Sequence, residues 1–111
     1  MPTVAGGGDY RETYRKAIDA KNRKRWDAAA QLFQTAVQQN GTDTGERISI
    51  SGFGNIEPYV PKYYLGLSLQ NLGRCRDAVT AFDNSERDGA VKSTNLYKSL
   101  VEGRTACQGK P

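Results

Sequence analysis

The chain has 111 residues, of which 37% are hydrophobic and 25% charged, and its formal net charge is +4. This length supports one small domain, and the composition is typical of a soluble helical domain. The sequence has no His, the commonest general base and metal ligand, so we expect no enzyme, no metal site and no cofactor. No stretch approaches the ~18 apolar residues of a membrane-spanning helix, and we expect no transmembrane segment.

The first eight residues, MPTVAGGG, are predicted to form a flexible leader. They lack the charged segment followed by an apolar segment that marks a secretory signal peptide. Residues 9–110 are interpreted as a single domain, because the apolar spacing typical of helices recurs through most of them.

Five segments of the chain show the apolar spacing of amphipathic helices. A basic turn joins the first two, a turn containing Gly73 joins the next two, and Ser93 or Thr94 is the expected N-cap of the last. The pairs Asn40-Gly41 and Asp88-Gly89 are typical of helix ends. The predicted helices cover residues 10–21, 26–40, 63–72, 75–88 and 93–108.

Similar side chains recur at a fixed distance in the two predicted helical hairpins. The offset is 49 residues and relates four pairs: Tyr14 and Tyr63, Ile18 and Leu67, Ala29 and Ala78, Phe33 and Phe82. The next step is 34 residues and relates three pairs: Tyr63 and Tyr97, Leu67 and Val101, Gln70 and Arg104. A two-helix repeat of about 34 residues is the tetratricopeptide period, so the first step contains an insertion of 15 residues within 41–60.

The second hairpin resembles the tetratricopeptide signature most closely, through Leu65, Gly66, Leu69, Gly73, Ala78 and Phe82. The whole chain resembles the bacterial tetratricopeptide modules of larger multidomain proteins. The resemblance implies an all-α fold, a short right-handed superhelix with two helix-turn-helix repeats. Repeat 1 would cover residues 9–40, the extended insertion 41–60, repeat 2 61–89 and a C-terminal capping helix 93–108.

The resemblance also implies a non-enzymatic module that binds a peptide or protein in a concave groove, formed by the first helix of each repeat. The groove would grade from aromatic through aliphatic to basic side chains, which favours an acidic ligand. As an alternative, the same side chains pack in the core or against the insertion. The predicted groove residues are Tyr14, Ile18, Lys21, Tyr63, Leu67, Gln70, Tyr97, Val101 and Arg104.

The insertion alternates apolar and polar residues between Glu46 and Phe53, as an extended segment does. Pro58 and Pro61 favour an extended backbone at its end. We expect one lone strand, which either lies across the helices or pairs with a second chain to form a homodimer. In the first case Ile48, Ile50 and Phe53 would cover apolar surface.

The two cysteines are predicted to meet if the helices stack as tetratricopeptide repeats do. The last helix would then lie parallel to the first helix of repeat 2, which brings Cys107 close to Cys75. A disulfide between them would indicate an oxidising compartment, a periplasm or the cell exterior. The alternative is two reduced cysteines in a cytoplasmic protein.

Seven of the sixteen cationic residues lie between Arg11 and Arg25. Such a cluster can form a surface that contacts nucleic acid or anionic lipid, and this is the alternative function. Carboxylates are interspersed among these cations, which favours a solvated helix face instead. Nucleic acid is therefore not the expected partner.

Overall fold

The computed structural model describes residues 9–51 and 54–111, and these are mainly helical. The predicted leader, residues 1–8, lies outside the described residues. The helices are α1 (Tyr10–Asn22), α2 (Trp26–Gln39), α3 (Pro61–Asn71), α4 (Cys75–Asp88) and α5 (Tyr97–Cys107). The strands are β1 (Arg47–Ser49) and β2 (Ile56–Pro58), which form one antiparallel pair. The prediction of a mainly α-helical fold is confirmed.

The hairpins α1–α2 and α3–α4 have the same turn geometry, 49 residues apart. In each turn one residue adopts a left-handed backbone conformation, Lys24 at φ 59° and Gly73 at φ 77°. This conformation costs little for Gly, whereas it is uncommon for Lys. The next N–H donates to the carbonyl five residues earlier, 2.9 Å away in both hairpins: Arg25 to Ala20, and Arg74 to Leu69.

Aromatic residues that share the 49-residue offset also make equivalent contacts in the core. The ring centroids of Tyr14 and Phe33 lie 5.8 Å apart, and those of Tyr63 and Phe82 lie 6.1 Å apart. Phe33 stacks on Tyr64 of the next hairpin at 5.4 Å. The two hairpins therefore share one continuous aromatic core.

The step from α3 to α5 is 36 residues rather than the predicted 34. The first and last residues of α5 come 36 positions after those of α3 in the sequence. Gly109 (φ 79°) likewise comes 36 positions after Gly73. A 3-10 turn at Ala90–Ser93 lengthens the connection, and Thr94 Oγ1 accepts a hydrogen bond from the N–H of Leu96. α5 therefore begins at Tyr97, later than expected, and Tyr97 does not occupy the place of Tyr63.

α5 lies beside α3 and runs in the same direction. Ser99 approaches the hydroxyl of Tyr63 near the start of both helices, and Gln70 lies against Gly103 further along. The end of α5 consequently reaches the turn before α4. There the sulfur atoms of Cys75 and Cys107 lie 2.20 Å apart, at disulfide distance.

Gly66 permits close contact between α3 and α4. A Cβ atom at this position would lie 2.6 Å from two ring carbons of Phe82, closer than real Cβ atoms approach. Phe82 is fully buried and cannot move aside without disturbing its neighbours. The small residue is therefore needed for the packing of the second hairpin.

We expect Gly66→Ala to lower the free energy of unfolding by about 1–3 kcal/mol, because overpacking outweighs the better helix propensity of Ala. Urea denaturation measures this loss. Gly103→Ala is the matched control and should cost less, because its Cβ would lie 2.7 Å from the movable side-chain oxygen of Gln70 and no closer than 3.1 Å to the ring of Phe82. A Gly66→Ala protein as stable as wild type would contradict the proposed contact.

The insertion forms a β-hairpin instead of the expected lone strand. β1 pairs with β2 antiparallel, with Ile48 opposite Glu57. The expectation was wrong because β2 is only three residues long and ends in a proline, which gives little sequence signal. Ile48 is buried and Ile50 packs against the core, as predicted for a segment lying across the helices. Phe53 lies outside the described residues.

Candidate functional site

Three of the nine predicted groove residues lie in the core and do not line an open groove. The exposed fractions are 0% for Tyr14, 1% for Ile18 and 3% for Tyr63. A ligand contacts only surface side chains, so the expectation of an open groove is corrected for these three. The other six remain accessible: Lys21, Leu67, Gln70, Tyr97 and Arg104 are half-buried, and Val101 is exposed.

The insertion covers the part of α1 at which the predicted groove begins. The Tyr14 hydroxyl donates to the carbonyl of Pro58 at 2.5 Å and accepts from the N–H of Val60 at 3.2 Å. Arg15 Nε donates to the carbonyl of Ser49 at 2.7 Å. The insertion thus occupies the hydroxyl of Tyr14, a predicted groove residue, and also binds Arg15, which was not predicted to line the groove.

Glu46 joins the insertion to the start of α1. Its two carboxylate oxygens accept hydrogen bonds from the Tyr10 hydroxyl and from Arg11 Nε, each at 2.6 Å. These hydrogen bonds stabilise the charged carboxylate and lower the pKa of Glu46. Together with the contacts of Tyr14 and Arg15, they hold the insertion against α1.

Tyr97 and Arg104, which were predicted to line the groove, join α5 to α4. The Tyr97 hydroxyl donates to Glu86, and Arg104 Nη1 donates to Glu86 Oε1 at 2.7 Å and to Asp83 Oδ1 at 3.1 Å. Hydrogen bonds from Arg104 and Tyr97 lower the pKa of Glu86 to about 2. Because the charge of Arg104 is already paired, it offers little attraction for an acidic ligand.

The basic segment between Arg11 and Arg25 is partly neutralised within the fold. The ammonium of Lys21 lies 4.9 Å from the centroid of the Tyr64 ring, as a cation–π pair. Lys16, Lys24 and Arg25 are exposed, and among the described residues they have no ion-pair partner. The other three cations form ion pairs: Arg11 with Glu46, Arg15 with Glu12, and Arg23 with Asp19.

Asp43 anchors the beginning of the insertion at a buried junction. Its carboxylate accepts hydrogen bonds from the N–H of Lys62 at 3.0 Å and from the Ser85 hydroxyl at 2.7 Å. Lys62 is the second residue of α3, so Asp43 caps a helix whose own N-cap, Val60, cannot do so. Ser85 occupies the position in the second hairpin that Ala36 occupies in the first, 49 residues earlier. Its hydroxyl donates the hydrogen bond to Asp43, which an Ala could not do.

Burial raises the pKa of Asp43 to about 6, against the hydrogen bonds from Ser85 and Lys62, which lower it. The carboxylate of Asp88 raises it further, and Lys62 Nζ donates to Asp88 at 2.8 Å. The pKa of Asp in an unfolded chain is about 3.9. The folded protein therefore holds this proton more tightly, and stability falls as the pH rises from about 4 through 6.

We expect the free energy of unfolding to drop by about 1 kcal/mol between pH 5 and pH 7 through Asp43. The chain has no His to titrate in this range. Asp43→Asn should abolish this dependence, because the amide does not titrate. Its oxygen can still accept from the N–H of Lys62, and its NH2 can donate to the Ser85 hydroxyl, which then acts as the acceptor. Urea unfolding at both pH values measures the effect, and an unchanged dependence in the variant would contradict the assignment.

A groove of about 650 Å³ lies between α2 and α4, with Leu65 and Leu69 of α3 among the residues that line it. We name it the α2–α4 groove. Gln31, Gln34 and Gln38 line it from α2, and Thr80 and Asn84 line it from α4. The two charged residues that border it, Arg74 and Asp77, pair with each other at 2.7 Å.

The α2–α4 groove was not among the predicted binding surfaces. One feature of the sequence could have indicated it: no residue from Ala28 to Gln39 is charged. The exposed positions of this segment are instead filled by uncharged Gln31, Gln34 and Gln38. In contrast, α4 carries six charged residues, which are Arg76, Asp77, Asp83, Glu86, Arg87 and Asp88. An exposed helix face without charge is unusual in a chain of which 25% is charged.

Within the described ranges, 9–51 and 54–111, no group of three or more Cys, Asp or Glu residues could hold a metal ion. The helices in these ranges also include none with the length and apolar character needed to cross a membrane. A scan against protein-family models and searches of curated proteins and of solved structures each found no match to the chain.

Proposed function

We propose that this chain is a non-enzymatic interaction module of the tetratricopeptide type that binds a protein or peptide partner in the α2–α4 groove. One observation carries the proposal: the insertion covers the α1 face of the predicted concave groove, whereas the α2–α4 groove has solvent-exposed polar walls and apolar Leu65 and Leu69. Binding sites commonly combine a concave apolar surface with a few polar groups.

The repeated hairpin geometry supports the tetratricopeptide assignment. Equivalent turn hydrogen bonds and aromatic pairs recur at 49 residues, and Gly66 packs against Phe82 where the two helices of repeat 2 meet. The right-handed superhelix is part of this proposal. An oxidised Cys75–Cys107 pair would favour a periplasmic or extracellular location.

An array of synthetic 12-residue peptides, probed with the full chain, tests the proposed function. Thr80→Trp places a large side chain in the α2–α4 groove, and we expect it to weaken binding of the positive peptides at least tenfold. Gln31→Trp places the same ring in the groove from the opposite wall and should weaken peptide binding by a similar factor. Circular dichroism and thermal unfolding confirm that both variants remain folded.

The matched control is Gln108→Trp, which adds the same ring at an exposed position outside the α2–α4 groove. It should leave peptide affinity within twofold of wild type. If Thr80→Trp and Gln31→Trp bind every positive peptide as wild type does, the groove is not the binding site and the proposal fails.

A second candidate is contact of the basic segment with nucleic acid or anionic lipid, favoured by the exposed cations Lys16, Lys24 and Arg25, which have no ion-pair partner within residues 9–51 and 54–111. Binding to phosphates weakens steeply with salt concentration. Affinity for double-stranded DNA and for vesicles of anionic lipid, measured at two salt concentrations, separates the two functions. If wild type binds either one and Lys24→Ala/Arg25→Ala loses that binding, the second candidate is supported.

A further inference from the structure

We propose that the α2–α4 groove binds an uncharged peptide in an extended conformation and recognises its backbone through the glutamine side chains of α2. This inference rests on the proposed function and names the class of ligand. It follows from the charge, hydrogen bonding and spacing of the residues that line the groove.

The α2–α4 groove offers no net charge to a ligand. Its two charged residues, Arg74 and Asp77, neutralise each other in an ion pair at 2.7 Å. The remaining lining residues are amides, hydroxyls and apolar side chains. A charged peptide would lose hydration on entering the groove without finding an opposite charge, so an uncharged peptide is favoured.

Three glutamines of α2, which are Gln31, Gln34 and Gln38, expose their side-chain amides to solvent. Among the described residues, the side-chain amides of Gln31, Gln34 and Gln38 have no protein partner. Thr35 and Thr80, by contrast, donate their hydroxyl hydrogens to carbonyls of their own helices. A glutamine amide has both a donor and an acceptor, as a peptide group does, so it can bond to an N–H and to a C=O on the near edge of an extended backbone.

The spacing of the glutamines suits an extended peptide. Gln34 and Gln38 are four residues apart, which corresponds to a rise of about 6 Å along the helix. Every second residue of an extended strand repeats at about 6.6 Å, and its peptide groups then point the same way. A strand along α2 can therefore present equivalent backbone groups to both amides.

Apolar side chains complete the α2–α4 groove beneath the amides. Leu65 and Leu69 of α3 lie between Ala30 of α2 and Ala81 of α4. In an extended peptide, alternate side chains point to opposite sides. Side chains of Ala or Val size that face inward can pack on this surface, while the glutamines contact the backbone.

The experiment uses 12-residue peptides of Ser, Thr, Asn, Ala and Val, with matched sets in which two positions are Glu or Lys. Fluorescence polarisation gives their affinity for the full chain. We expect the neutral set to contain the tightest binders, and Gln34→Leu/Gln38→Leu to weaken them about tenfold. Gln108→Leu, an exposed control outside the groove, should change affinity less than twofold.

N-methylation of alternate peptide bonds in the best neutral peptide tests recognition of the backbone. It removes backbone donors without altering the side chains, and we expect at least a tenfold loss. Tight binding of charged peptides that Thr80→Trp blocks, or indifference to N-methylation, overturns this inference and leaves the proposed function intact. Binding that Thr80→Trp does not affect overturns both, and so does the absence of any binding peptide.

Discussion

Reduction of the Cys75–Cys107 bond should lower the free energy of unfolding by about 3–4 kcal/mol. The two residues are 32 apart in sequence, and a cross-link over such a loop restricts the unfolded chain by this amount in the chain-entropy model. Urea denaturation with and without reductant measures the difference. Because α5 contacts α3 and α4 while the bond ties its end to the start of α4, amide hydrogen exchange should increase first in α5.

The variant Cys75→Ser/Cys107→Ser is the control for this prediction. It should unfold like the reduced protein, and the reductant should not change its stability. Alkylation of the unfolded wild-type protein, followed by mass measurement, shows the oxidation state directly. If both cysteines are alkylated without prior reduction, the disulfide and the oxidising compartment are contradicted together.

Asp43→Ala should lower the free energy of unfolding by about 2 kcal/mol at pH 7 and by about 3 kcal/mol at pH 5. The N–H of Lys62 and the hydroxyl of Ser85 lose their acceptor, and two unsatisfied buried donors are costly. The loss is smaller at pH 7 because the substitution also removes a desolvated charge there. Urea unfolding at the two pH values measures both losses.

Ser85 supplies the matched test of this junction. Asp43→Ala/Ser85→Ala should be more stable than Asp43→Ala alone, because it removes one of the two stranded donors and restores the Ala that repeat 1 has at this place. Glu102→Ala, an exposed carboxylate, should stay within about 0.5 kcal/mol of wild type. A loss for Asp43→Ala as small as this control would contradict the role of Asp43 as an anchor.

We propose that the insertion determines where a partner binds. In our proposal the fold is of the tetratricopeptide type, and the concave face of its first repeat is occupied by contacts from Tyr14, Arg15 and Glu46 to the insertion. The residues that line the α2–α4 groove have no net charge, because Arg74 and Asp77 pair with each other. We expect a partner bound there to leave the anchored insertion in place.

Local spacing was sufficient to predict the helices and their pairing. Ala29 and Phe33 recur as Ala78 and Phe82 because the equivalent positions of both hairpins pack in the core. The recurrence in the sequence therefore indicates which residues make equivalent contacts. The prediction was weaker between α4 and α5. There the 3-10 turn at Ala90–Ser93 leaves no periodic signal, and the step of 36 residues was missed.

Sequence alone established five helices, two hairpins 49 residues apart and the segment that separates them, because helical periodicity depends on neighbours a few residues away. Only the tertiary structure decided which side of each helix stays exposed. Tyrosine is common on binding surfaces, yet Tyr14 and Tyr63 are buried. Residues far away in the chain contact them: the insertion contacts Tyr14, and α5 contacts Tyr63. Burial is set by such distant contacts, which no local pattern records, and the α2–α4 groove likewise combines residues of helices that are far apart in the sequence.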